Sequence, residues 1–127
     1  MLTDILVDIQ QRETGVPLPP ERLTELRELA AEFGVENEPP WLLSMFKAVQ
    51  HGQAVSSPVF FHSESNPYSY IGEVADMLGW NYHNEGEYQV IAFPHLGWRI
   101  YISHEALSPG EKKSGSEYQV TRLAPTA

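Results

Sequence analysis

Residues 87–103, EYQVIAFPHLGWRIYIS, constrain the fold more than any other part of the chain. Two runs rich in β-branched and aromatic residues flank Pro94-His95-Leu96-Gly97, which has the composition of a hairpin turn. Setting Phe93 opposite Trp98 and alternating side chains along each strand puts Ile91, Phe93, Trp98, Ile100 and Ile102 on one face. Tyr88, Val90, Ala92, Arg99 and Tyr101 fall on the other. The first face is core. The second mixes tyrosine and arginine with small aliphatics, the composition of a partner-binding surface, and Tyr88, Arg99 and Tyr101 are its candidate contact residues.

Upstream of the hairpin the pattern is helical. Leu2, Ile5, Leu6 and Ile9 follow i, i+3, i+4, i+7 spacing and predict a first helix ending near Glu13, before the break Gly15-Val16-Pro17-Leu18-Pro19-Pro20. Pro20 suits a first helical turn, and Leu23, Leu26, Ala30 and Phe33 stripe a second helix to Gly34. Pro39-Pro40 repeats the device for a third helix, with Trp41, Leu42, Met45, Phe46 and Val49 on its apolar face, before His51-Gly52. Pro58–His62 reads as a strand, and Asn66-Pro67 starts a fourth helix striped by Tyr70, Ile71, Val74, Ala75 and Leu78. Asn84-Glu85-Gly86 reads as a turn, Ser108–Ser116 as a polar loop that is a candidate for local disorder, and Tyr118–Leu123 as a last strand. Glu-Tyr-Gln-Val stands at both 87–90 and 117–120, too short a match to establish a repeat. The expected fold is α+β: one domain over 1–127, with a helical front (1–52) packed on one face of an antiparallel sheet of about four strands, centred on the 87–103 hairpin, in a mainly β back (57–123).

At 127 residues and 42% hydrophobic, the chain can bury a core without staples, and with no cysteine it has no disulfide, thiolate metal site or cysteine nucleophile. The amino-terminal residues lack the basic, apolar profile of a signal peptide, and no apolar run reaches the ~18 residues of a membrane span, so a soluble cytoplasmic protein is expected. The net charge is −9, and residues 1–40 hold nine acids against three arginines. That field repels a phosphate backbone and attracts a basic partner, with Glu25 and Glu28 on the second helix as candidate contacts.

Chemistry-bearing residues are present without diagnostic spacing. His62 and Glu64, His104 and Glu105, His83 and His95 stand at strand ends and turns from which they could converge, but neither His-Glu-x-x-His nor a cysteine-bearing deaminase pattern occurs. Ser56-Ser57 and Ser63-Glu64-Ser65 lack the nucleophile elbow, and no glycine-rich phosphate loop follows a strand. Glu73 and Asp76, three apart on the fourth helix, are an ordinary pair for a solvated face. No catalytic residue, metal ligand or cofactor is assigned from the sequence.

Tyr70-Ile71-Gly72-Glu73-Val74-Ala75-Asp76-Met77-Leu78-Gly79 resembles the first helix of the helix-turn-helix in MerR-type regulators, over ten of the 127 residues. The resemblance implies a basic recognition helix directly after it. Residues 80–87, Trp-Asn-Tyr-His-Asn-Glu-Gly-Glu, are instead acidic and turn-rich, and between Lys47 and Lys112 the one cation is Arg99. No recognition residue is carried over.

The expected function is binding to another protein, as an inhibitor, immunity-type or adaptor domain acting through the acidic helices, the Tyr/Arg sheet face or both. The acidic front favours a basic partner, and a second copy of the chain is a further candidate. A small enzyme or ligand- or metal-binding domain using the loop histidines is the first alternative. An acidic DNA mimic or helix-turn-helix-like regulator is the second.

Overall fold

The computed structural model describes residues 2–36, 40–59, 67–86, 88–103 and 117–123, the side chains of Pro67 and Tyr68 excepted. Among the described residues, four helices and a five-stranded antiparallel sheet make an α+β fold. Helix α1 (Leu2–Thr14) buries Leu2, Ile5, Leu6 and Ile9, the stripe its spacing predicts. Helix α2 (Pro20–Phe33) opens on proline and stops at Gly34, whose left-handed φ of 65° costs a residue without Cβ little. Helix α3 (Pro40–His51) buries Trp41, Leu42, Met45, Phe46 and Val49, and α4 (Pro67–Leu78) buries Tyr70, Ile71, Val74, Ala75 and Leu78.

The sheet order is β1-β5-β4-β3-β2, from strands β1 (Val55–Pro58), β2 (Asn81–Glu85), β3 (Tyr88–Phe93), β4 (Trp98–Ser103) and β5 (Glu117–Arg122). The hairpin has the expected register, Phe93 opposite Trp98 and Tyr88 opposite Ser103. Two expectations need correction. The first described strand is Val55–Pro58, which meets the expected Pro58–His62 only at Pro58, so the β region begins at residue 55: β1 uses its backbone to extend β5, with Val55 opposite Val120, and Pro58, which has no N–H to donate, closes it. Residues 60–62 lie outside the described residues. The second correction adds a fifth strand, because residues 81–85 pair with β3 from Asn81↔Ala92 to Glu85↔Tyr88 instead of turning at residue 84. The polar loop at 108–116 lies outside the described residues.

Helix α3 lies on β1, β4 and β5 and α4 on β2, while α1 packs on α3 and α2 packs on α1 and α4. Every sheet residue of the buried core, namely Ile91, Phe93, Ile100, Ile102, Tyr118 and Val120, shares one parity of the register, so these described helices sit on a single face. The two Glu-Tyr-Gln-Val segments confirm this in an unexpected way. Tyr118 points into the core and stacks on Trp41, whereas Tyr88 points to the opposite face, so the shared sequence carries no shared role.

A buried amide ties the helices to the sheet. Gln10, only 9% exposed on the apolar side of α1, donates from Nε2 to the Leu78 carbonyl (3.1 Å) and accepts from Trp80 Nε1 (2.7 Å). Trp80 in turn meets Phe93 edge-on at 5.0 Å. At the far end of α1, the Glu13 carboxylate accepts the backbone N–H groups of His95 and Leu96, each at 3.0 Å, which pins the hairpin turn to the helical layer.

Candidate partner-binding face of the sheet

The face away from the helices is built from the alternate residues of the same strands. One row across it reads His83, Val90, Tyr101, Gln119 and Ser56, and the next reads Asn81, Ala92, Arg99 and Thr121. Tyr88, opposite Ser103, is diagonal to Tyr101, and the two rings meet edge-to-face at 6.1 Å and 90°, a favoured aromatic geometry. Arg99 stands two residues from Tyr101 on the same strand face and lays its guanidinium carbon 4.6 Å from the ring centroid. The structure therefore brings the three sequence-derived contact residues Tyr88, Arg99 and Tyr101 into one cluster. Each is partly exposed.

Val90 corrects the expectation for its own position. It is 1% exposed and does not belong to the main core, so the aliphatic floor of this face is covered and Val90 offers no contact surface. The cluster also contains polar atoms with nothing to bond. Arg99 Nε and Thr121 Oγ1, on residues directly opposite each other in β4 and β5, are both buried without a hydrogen-bond partner. A buried unsatisfied polar group costs about 1–3 kcal/mol. Two side by side mark a place where the fold carries a deficit. Toward β1, by contrast, the polar groups are satisfied: the Glu117 carboxylate accepts from Gln119 Nε2 and from Ser56 Oγ, both at 2.8 Å. Sequence reasoning missed Glu117, Gln119 and Thr121, because only the pairing of β5 with β4 places them beside Tyr101 and Arg99.

The other candidates are scattered. Glu25 and Glu28 are exposed on α2, where Glu25 pairs with Arg22 at 2.9 Å. Their helix packs on α1 and α4, in the layer remote from the outer sheet face. The acidic face of α2 and the Tyr/Arg face of the sheet are therefore two separate surfaces. His51 ends α3, His83 sits on β2 with Nε2 3.5 Å from Glu85 Oε2, and His95 occupies the hairpin turn, so these three do not form a constellation. Among the described residues no group of three or more histidine, aspartate or glutamate side chains could hold a metal ion. His62, Glu64, His104 and Glu105 lie outside the described residues. Where the MerR-type resemblance implies a recognition helix after α4, the chain forms strand β2. No described helix is long and apolar enough to cross a membrane.

Two buried tyrosines have perturbed protonation. Burial, and secondarily the Glu36 charge, push the Tyr70 phenol far up, and its hydroxyl has no hydrogen-bond partner. Burial also raises Tyr118, partly offset by a hydrogen bond with Ser57. Both are core tyrosines outside the outer-face cluster.

Compared with protein-family models, curated proteins and solved structures, the chain matches none.

Proposed function

We infer that this is a protein-binding domain whose partner docks on the outer face of the sheet. The observation that carries the reading is the Tyr88–Tyr101–Arg99 cluster, partly exposed and containing the unsatisfied Arg99 Nε beside Thr121 Oγ1. Tyrosine and arginine are the residues that dominate binding energy when a partner seals them from water. This argues for an adaptor, inhibitor or immunity-type role.

The acidic α2 stripe has a narrower part than charge alone suggests. Two stacked layers at ~10 Å each separate Glu25 and Glu28 from the outer face by on the order of 20 Å, against a Debye length of ~8 Å at physiological salt. Those acids attract a basic partner to the helical side and act weakly on one approaching the sheet.

Affinity capture from the native host with four baits, the wild type and three variants, tests the reading. A stoichiometric protein retained by wild type and Glu28→Lys, and lost from Tyr101→Ala and Arg99→Ala, supports it. A partner held equally by all four folded proteins refutes the outer face as the docking surface.

A further inference from the structure

Beyond the outer face, the sheet has two edges, and they differ. Strand β1 has four residues and ends in Pro58, a guarded edge. Strand β2 has five residues, Asn81-Tyr82-His83-Asn84-Glu85, with neither proline nor lysine, and no described strand pairs with its outer side. All but Tyr82 are exposed. Such an edge presents a row of backbone N–H and C=O groups that another chain can extend.

The surroundings of this edge carry one sign of charge. Residues 67–86, which include α4 and β2, contain no lysine or arginine. On the helix side, Glu73 and Asp76 are both exposed and line one open groove with Ser69, Gly72 and Tyr82, of about 370 Å³. On the opposite side of the strand stands the exposed Glu85. We propose that the β2 edge takes up an extended, lysine- or arginine-bearing segment of another protein as a sixth strand, whose cations fall beside Glu73 and Asp76 on one face and Glu85 on the other.

The same charges disfavour a second copy as the occupant. Antiparallel self-pairing about His83 would set β2 against its own twin and bring two sets of Glu73 and Asp76 together across the seam. A basic strand meets no such repulsion. The β2 edge borders the docking face proposed above, since Glu85 stands opposite Tyr88, but it pairs through the backbone of β2 and not through the Tyr88–Arg99–Tyr101 cluster.

The probe is a seven-residue peptide alternating lysine and valine, blocked at both ends, titrated into the ¹⁵N-labelled full chain beside its glutamate–valine counterpart. Uptake as a strand shifts the amides of residues 81–85 and slows their hydrogen exchange with the lysine peptide and not with the glutamate peptide. Glu73→Lys/Asp76→Lys, both at exposed positions, should weaken binding by about tenfold while leaving the rest of the amide spectrum in place. Tyr101→Ala should leave it unchanged. Shifts on α2 without protection of β2 would mean adsorption by charge alone and overturn the proposal. So would an affinity lost in Tyr101→Ala, which places the peptide on the outer face, or a dimer in sedimentation whose β2 amides are already protected, which makes a second copy the occupant.

Discussion

Truncating Phe93 tests which side of the sheet is interior. Phe93 has no exposed surface, shares the core parity with Ile91 and Ile100, and meets Trp80 edge-on at 5.0 Å. Replacing a buried phenylalanine by alanine loses the transfer energy of the ring and leaves a cavity, together about 3–5 kcal/mol. The unfolding entropy of a 127-residue chain, at about 2.1 cal/mol/K per residue, is roughly 0.27 kcal/mol/K, so a loss of about 4 kcal/mol lowers Tm by about 15 °C. Tyr101→Ala, on the outer face, gives up one edge-to-face ring contact and the Arg99 interaction, about 1 kcal/mol and about 4 °C. Trp98 lies between these limits. Register alone gives it the full core loss, but it is only half buried, at the sheet end beside Gly52 and Arg122, which reduces the expectation to about 2 kcal/mol. Urea denaturation of the three variants, with m-values checked for constancy, measures all three losses. Equal losses for Phe93→Ala and Tyr101→Ala would refute the reasoning, because both faces would then be interior.

Other consequences follow from the buried polar groups. Gln10→Leu strands the Trp80 N–H and the Leu78 carbonyl and should cost about 3 kcal/mol by denaturation, with a smaller loss in a Trp80→Phe background; equal losses in both backgrounds would remove the hydrogen bond from the explanation. Tyr70→Phe deletes a buried hydroxyl with no partner and should raise stability by about 1 kcal/mol, whereas a comparable loss would reveal a bond that this accounting lacks. Tyr70 and Tyr118 have folded pKa values above the unfolded phenol's, so the stability they contribute is intact below pH ~10 and is lost as pH rises further. Melting temperatures from pH 8 to 11.5 should fall only in the upper part of that range, and less steeply in the Tyr70→Phe/Tyr118→Phe double variant; equal slopes would assign the alkaline loss to other groups.

Much of this architecture can be read from local pattern, and the exceptions have physical causes. The hairpin register follows from period-two alternation across a turn with Gly97 at φ 81°, and the four helices follow from proline starts and apolar stripes. Strand β2 was illegible because Asn-Tyr-His-Asn-Glu has turn chemistry, and an edge strand needs neither an apolar face nor a partner on its free side. Strand β1 has little local signal, because Val55–Pro58 has weaker β propensity than the residues after it and is recruited by its ladder with β5. Gln10 gives no local sign of burial, since its partners lie 68 and 70 residues away. At the candidate site, alternation along two strands suffices to group Tyr88, Arg99 and Tyr101. The orphaned pair at Arg99 and Thr121 depends on the register of β5, and the distance between the acidic helix and the tyrosines depends on layer order, neither of which is written in any one segment.

The proposed protein partner is held by the outer sheet face and not by the acidic helix. Surface plasmon resonance with the captured partner at physiological salt decides between them. Tyr101→Ala should shorten the lifetime of the complex by about thirtyfold, the equivalent of a hot spot worth about 2 kcal/mol, while Glu28→Lys leaves both rates unchanged. Slower association with Glu28→Lys, together with an unaltered lifetime for Tyr101→Ala, would contradict the account and move the docking surface to α2.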